Sequence, residues 1–311
     1  MSAFIVCLMC FTNLFAIELH AQIITGNSFG IHDGYDYELW GDWGSGGTMT
    51  LKDGGTFDCQ WDNINSILFR KGRVFDETQT HQQMGNISIR YDVDYNSNGF
   101  SFLCVYGWTV DPLIEYYIVE SWDDWRPPGG ALLGQITVDG GTYEIFNTRA
   151  RKQTKRGIET FEQYWSVRTE KRTSGTISVS QHFAAWERMN MPMGKMTEVA
   201  LAIEGWQSKG RADVHTNVLT IGGALPTPVP IDIRYGDING DGVIDSKDYI
   251  LLRRYILQVR TSLPNRIAAD LNGDGNIDSI DVILLRRYIL GIINKNPNEN
   301  MVTPTQTPSG T

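Results

Sequence analysis

The nine residues from Pro112 to Glu120, PLIEYYIVE, decide how the rest of the chain is read. A run so rich in Ile, Val and Tyr, with Asp111-Pro112 before it and Ser121 after, has the composition of a β-strand. Side chains alternate along a strand, so Glu115, Tyr117 and Val119 share one face and Tyr116, Ile118 and Glu120 share the other. Glu115 then lies in mid-strand beside two tyrosines. A carboxylate there is costly unless hydrogen bonds or a wet cleft repay it, and such sites are often functional. The plainer alternative is a solvated strand face, since antiparallel sheets commonly show one polar face to water. A second carboxylate in a similar setting would decide between them.

Outward from this strand, residues 29 to 223 consist of short β-like segments separated by Gly, Asn and Asp. Asp53-Gly54-Gly55, Asn98-Gly99, Asp139-Gly140-Gly141 and Ser174-Gly175 supply turn chemistry at hairpin spacing. The pattern predicts an all-β domain, an antiparallel β-sandwich or jelly roll. One helix is expected over Gln181–Met189, with Ser180 as its N-cap and Phe183, Trp186 and Met189 at helical spacing. Aromatics crowd the region, among them Tyr35, Tyr37, Trp40, Trp43, Tyr106, Trp108, Trp122, Trp125, Tyr164, Trp165 and Trp206. Aromatic stripes usually form core, but a sandwich has one inner face between its sheets. The surplus implies a cleft floored by rings on which sugars stack.

The second carboxylate stands in VALAIEGWQSKG, where Glu204 follows five apolar residues and precedes Gly205-Trp206. Two glutamates on facing strands of a cleft meet the needs of glycosidic hydrolysis. One protonates the leaving oxygen; the other attacks the anomeric carbon or activates water there.

At 311 residues and a net charge of −9, the chain has room for one large domain and a small one, and it suits neither nucleic acid nor an anionic membrane surface. Residues 3 to 17 are apolar but too short to span a bilayer, and Ala21 ends a segment suited to signal peptidase. Residues 1–21 are read as a secretory signal, although Met1-Ser2 brings no Lys or Arg, so the protein is expected to be secreted. Cys7 and Cys10 would leave with it. Cys59 and Cys104 remain; they can pair or stay as buried thiols, and buried thiols are the expectation.

Past a Pro-containing linker at 224–235, expected to be extended and semi-rigid, the chain repeats itself. DINGDGVIDSKDYILLRRYIL begins at Asp237 and DLNGDGNIDSIDVILLRRYIL at Asp270. Each loop spaces oxygen ligands as an EF-hand loop does, with Gly at the sixth position. The ligands would be Asp237, Asn239, Asp241, the carbonyl of Val243, Asp245 and Asp248, then Asp270, Asn272, Asp274, the carbonyl of Asn276, Asp278 and Asp281. The loops end in Asp rather than Glu, and no helix precedes the first. Amphipathic helices follow both, and so small a module would need its two calcium ions to fold. Residues 295–311 read as a disordered, linker-like tail.

With these residues in view, YGWTVDPLIEYYIVESW (106–122), TVDGGTYEIF (137–146), QYWSVRTEKRTSGTISVSQHFAAWERM (163–189) and AIEGWQSKGRADVHTNVLTIGG (202–223) resemble the β-jelly-roll xylanases of glycoside hydrolase family 11. The resemblance runs from about Phe29 to Gly223, within a catalytic domain read at 22–223, and implies an endo-β-1,4-xylanase that retains anomeric configuration, with no catalytic cofactor and a monomeric catalytic domain. It implies Glu115 as nucleophile and Glu204 as general acid/base, with Tyr106, Tyr117 and Gln163 around the bound sugar. It also implies Trp40 as a stacking platform and Arg149 as the arginine at the base of the thumb loop. The sequence departs from the family at Gln153-Thr154-Lys155, where the thumb usually reads Pro-Ser-Ile, at Ser66 in place of Asn or Asp, and at Trp206 in place of Tyr. A non-catalytic xylan-binding module with an altered thumb is the alternative. The repeat at 236–294 is similar to the dockerins of cellulosomal enzymes, implying a cohesin partner on a scaffoldin, with Ser246-Lys247 and Ser279-Ile280 at the positions that help choose it.

Overall fold

The computed structural model describes residues 21–42, 46–154 (backbone alone at 153 and 154) and 157–295. The signal segment up to His20, Trp43, Lys155 at the thumb tip and the tail from 296 lie outside the described residues. Among the described residues, thirteen strands join one continuous hydrogen-bonded sheet. Four of moderate length open the chain: β1 (Gln22–Ile24), β2 (Ser28–His32), β3 (Tyr35–Gly41) and β4 (Gly47–Leu51). The long β5 (Phe57–Val74) and, after a single turn of helix α1 (His81–Met84), β6 (Ile87–Val110) come next. They are followed by β7 (Ile114–Trp122), β8 (Leu132–Val138), β9 (Gly141–Thr154), β10 (Gly157–Arg168) and the short β11 (Ser174–Ile177). Helix α2 (Val179–Arg188) precedes β12 (Lys195–Ile221), and β13 (Ile231–Asp232) ends the series. The central order is β4-β5-β12-β6-β7-β10-β9-β8.

Length is the key to the shape. β12 runs antiparallel to both β5 and β6 along nearly its whole course, and its register slips between Trp206 and Lys209. Such a bulge bends a strand and adds twist. The segment before it therefore carries Glu204 on one part of the sheet, and the segment after it continues into the other part. The result is the jelly roll that the alternating pattern predicts.

The two faces of β7 separate as the sequence demands. Ile114, Tyr116 and Ile118 join the main core with Phe69, Ile203, Phe183 and Trp186, all buried. Tyr117 and Val119 join a second buried cluster with Phe102, Tyr106, Phe146 and Trp165. This second cluster is the aromatic surplus, gathered on the face away from the main core. Glu120, on the core face, is fully buried and accepts hydrogen bonds from Tyr91, Tyr143 and Arg172.

Helix α2 starts two residues before the expected Gln181. Ser178 is its N-cap position and is held by Asp139, which accepts from both its N–H and its hydroxyl at 2.7 Å. Ser180 lies inside the first turn, where its hydroxyl accepts from the N–H of Ile87 at 2.8 Å. Phe183 and Trp186 pin the helix to Tyr116 through ring contacts at 4.9 and 6.1 Å. Cys59 and Cys104 are free, buried thiols.

The C-terminal module folds as two loop–helix units, α3 (Ser246–Ile256) and α4 (Ser279–Ile289), around Ile238, Leu252, Ala269, Leu271 and Leu285. Asp245 and Asp278 cap the helices, each accepting from a backbone N–H two residues on. The preceding linker is not a free spacer. Ile231 and Asp232 pair with Ile136 and Gln135 as β13, while Gln181 and Arg188 of α2 hold the backbone at Thr227 and Val229. Farther on, the amide of buried Asn265 donates to the carbonyls of Leu132 and Leu133, and the N–H of Leu132 donates to the Gly240 carbonyl at 3.3 Å. The proline-containing linker is extended at Ile231–Asp232, and the unpaired edge of β8 determines where it lies.

Candidate active site

Strand register lays out the site. Glu115 pairs with Trp108 on β6 and, in parallel, with Gln163 on β10; Gln163 in turn pairs with Thr148 on β9. Residues paired across strands point to the same face. A second row runs Trp40, Leu68, Glu204, Phe102 and Trp122 across β3, β5, β12, β6 and β7. Between them lies a third, Tyr106, Tyr117, Trp165 and Phe146. Both glutamates and the aromatic cluster thus share the face opposite the main core.

Glu115 is 2 % exposed and fully occupied by donors. Tyr106 donates to Oε1 at 3.1 Å, Gln163 Nε2 donates to Oε2, and Lys152 Nζ lies 3.2 Å from Oε2. Tyr106 and Gln163 are themselves held. Trp108 Nε1 donates to the Tyr106 hydroxyl; Trp165 Nε1 donates to Thr148 Oγ1 at 2.9 Å, and that hydroxyl donates to Gln163 Oε1 at 3.1 Å. The relay fixes which end of the Gln163 amide faces the carboxylate. Tyr117 stacks flat on Trp165 at 3.9 Å and 5°.

Glu204 has a different environment. Burial pushes its carboxyl up to about 7, reinforced by the charge of Glu115 and opposed by Lys152 and by the Tyr117 hydroxyl. Two carboxylates held in unlike surroundings, one saturated with donors and one protonated near neutrality, can divide acid and nucleophile roles. Trp40 is exposed in the Glu204 row, while exposed Trp206 stacks on Phe100 at 5.5 Å. Ser66 pairs with Trp206, and its N–H donates to Asp42 at 2.8 Å. A separate polar hollow of about 630 Å³, lined by Gln60, Asp62, Asn96, Asn98, Lys209 and Arg211 among others, contains neither glutamate.

Arg149 lies on β9, on the strand that leads into the thumb hairpin. Its alternation along β9 opposes that of Thr148 and Lys152, so it turns away from Glu115 and pairs with Glu162, its side chain 70 % exposed. The cation that reaches the carboxylate is Lys152, which motif matching passed over. Its position, an even number of residues from Thr148 on the same strand, was the available signal.

In the C-terminal loops, Asp237 Oδ2 accepts from the Gly242 N–H, while its buried Oδ1 has no hydrogen-bond partner. Asp270 accepts from Gly273 and Gly275. Asp248 and Asp281 accept from backbone N–H groups of their own loops. Among the described residues no group of three or more His, Cys, Asp or Glu side chains is gathered as a metal cage. The donor set of Asp and Asn oxygens with loop carbonyls, and the orphaned Asp237 oxygen, fit a hard cation such as calcium. Asp241 and Asp274 are exposed and Asn239 and Asn272 half-buried in their loops, bonded to one another and to loop N–H groups.

Comparison with known proteins agrees with this geometry. The family described as "Glycosyl hydrolases family 11" matches residues 32–215, and "Dockerin type I domain" matches 235–290. The chain is 56 % identical over 244 residues to an endo-1,4-beta-xylanase A of Thermoclostridium stercorarium, covering 78 % of this chain and 37 % of that one. It is 55 % identical over 220 residues to an endo-1,4-beta-xylanase A of Bacillus pumilus, covering 70 % and 96 %. A bifunctional xylanase/deacetylase of Pseudobutyrivibrio xylanivorans is 62 % identical over 205 residues, covering 66 % of this chain and 34 % of its own. The chain thus spans well under half the length of two of these three relatives. The solved family 11 xylanase from Neocallimastix patriciarum superposes with a TM-score of 0.60 at 38 % identity, over 65 % of this chain and all of that one. From its strand order, its paired glutamates and these matches, the chain belongs to glycosyl hydrolase family 11, with a type I dockerin domain at its C-terminal end.

Proposed function

We propose that this protein is an endo-1,4-β-xylanase that cleaves internal bonds of xylan with retention of configuration. The observation that carries the reading is the unlike setting of Glu115 and Glu204 on one aromatic face. Glu115, aimed by Tyr106 and Gln163, attacks the anomeric carbon, and the glycosidic C–O bond breaks as Glu204 delivers its proton to the departing oxygen. A glycosyl ester on Glu115 results. Glu204, now ionised, takes a proton from water, whose oxygen attacks the same carbon and expels Glu115. Trp40 offers a ring to a sugar face in the cleft. The relatives named as xylanases support xylan as substrate.

The dockerin reading extends this to a secreted enzyme, monomeric in its catalytic domain, that binds a cohesin on a scaffoldin. The oxygens of Asp237, Asn239, Asp241, Asp245 and Asp248, with the Val243 carbonyl, would hold one calcium ion. Those of Asp270, Asn272, Asp274, Asp278 and Asp281, with the Asn276 carbonyl, would hold a second. A bound calcium ion would offset the negative charge that these side chains bring together. Release of reducing ends from xylan tests the reading: Glu115→Ala and Glu204→Gln should each lose it, and full activity in either would refute the assignment.

A further inference from the structure

We propose that Lys152 is the positioning cation of the active site, a role that the thumb's Arg149 does not fill in this protein. The inference rests on the reading of Glu115 and Glu204 as the reacting pair. Lys152 sits on β9 two positions before the strand's last residue, Thr154, and its Nζ lies 3.2 Å from Glu115 Oε2. Arg149, three residues earlier, faces the other way and pairs with Glu162. An odd spacing along a strand reverses the face, so the two cations cannot exchange roles without a slip of the hairpin register.

The surroundings make this cation consequential. Glu115 reaches it from β7, and Glu204 on β12 lies within its field. Tyr106 on β6 and Tyr117 on β7 are buried neutral hydroxyls. Arg70 on β5 lies 5.3 Å from the Tyr106 ring centroid and is committed to Glu38 and Glu198. Across the hairpin, Glu159 on β10 is the register partner of Lys152. Among the described residues, Lys152 is thus the cation in direct contact with the attacking carboxylate. Its ammonium aims one carboxylate oxygen while Tyr106 aims the other, and its charge favours the ionised form of Glu204 that must accept a proton in the second half of the reaction. The side chain is 49 % exposed, so it reaches the carboxylate from the open side of the sheet.

The test compares wild type, Lys152→Met, Lys152→Arg and Glu115→Ala on xylan, recording kcat/KM against pH together with Tm. Lys152→Met should lower kcat/KM by about 10- to 100-fold and move the alkaline limb to higher pH by roughly one unit. Lys152→Arg should restore both, and Tm should stay at the wild-type value in each. Should Lys152→Met lower Tm, Lys152→Gln takes its place in the same comparison. Unchanged kcat/KM and an unmoved alkaline limb would overturn the proposal, as would a loss that Lys152→Arg fails to rescue. If wild type itself releases no product, or Glu115→Ala retains full activity, the reading of the glutamates fails as well; if Glu115→Ala is inactive and Lys152→Met behaves as wild type, the Lys152 role alone falls.

Discussion

The Tyr106 hydroxyl donates to Oε1 of Glu115 at 3.1 Å while accepting from Nε1 of Trp108. Burial and the Glu115 charge push this phenol well above the ordinary tyrosine range, so it remains a donor at any working pH. Tyr106→Phe removes one aim of the nucleophile and leaves its ring packing. A charge-assisted hydrogen bond contributes about 1.5–3 kcal/mol, so kcat/KM should fall by roughly 10- to 100-fold with Tm little changed. Wild-type kinetics in Tyr106→Phe would remove the hydroxyl from the account.

Gln163 acts through the same carboxylate but depends on a relay. Trp165 holds Thr148, and Thr148 holds the Gln163 oxygen, leaving the nitrogen for Glu115. Thr148→Val should therefore cost activity although Thr148 makes no contact with either glutamate in this network. The expected loss is several-fold, on the scale of a neutral hydrogen bond of about 1 kcal/mol. A steady-state assay beside Gln163→Ala checks it, and Thr148→Val should cost less than Gln163→Ala.

Glu204 makes the stability of the fold depend on pH. Its folded value, about 7, lies above its ordinary 4.5, so the folded state binds this proton more tightly than the unfolded chain does. The resulting contribution is complete below about 4.5 and is lost as pH rises through about 7. Urea midpoints measured at pH 5 and pH 8 should fall more for wild type than for Glu204→Gln. Parallel behaviour of the two proteins would contradict the assigned shift. Activity follows the same sign, because the protonated form is the acid: kcat/KM should decline as pH passes about 7.

What the sequence reveals and what it hides divide along physical lines. PLIEYYIVE announced its own alternation because a period of two puts Glu115 and Glu120 on opposite faces whatever the tertiary structure. The surplus of aromatics pointed to a second face for the same reason. The thumb resisted such reading: motif similarity singled out Arg149 but passed over Lys152, whose contact with Glu115 follows from strand phase. The start of α2 was misplaced because Ser178 and Ser180 are equally good caps locally, and Asp139, far away in sequence, chooses between them. The linker looked like an extended spacer, yet β8 supplied an open edge for Ile231 and Asp232. Long-range partners made each of these decisions.

The C-terminal module also touches β8 through Asn265. Asn265 is buried between the modules and bonds two carbonyls of β8. Asn265→Ala should leave both carbonyls without this donor and lower Tm, by an amount reflecting about 1–3 kcal/mol, with kcat/KM on xylan unchanged. Calcium chelation should abolish cohesin binding and loosen residues 236–294 while hydrolysis continues. Calorimetry of wild type and Asn265→Ala, each with and without EDTA, reads both effects, and loss of hydrolysis on chelation would contradict the division of labour.

The central claim is that Glu115 forms the glycosyl ester and Glu204 handles the protons. A 2-deoxy-2-fluoro-xylobioside bearing a good leaving group should form that ester and hydrolyse it slowly, leaving a mass label on the enzyme. Peptide mapping should place the label on Glu115, with no label in Glu115→Ala. A label on Glu204, or its absence from wild type while xylan hydrolysis proceeds, would contradict the account.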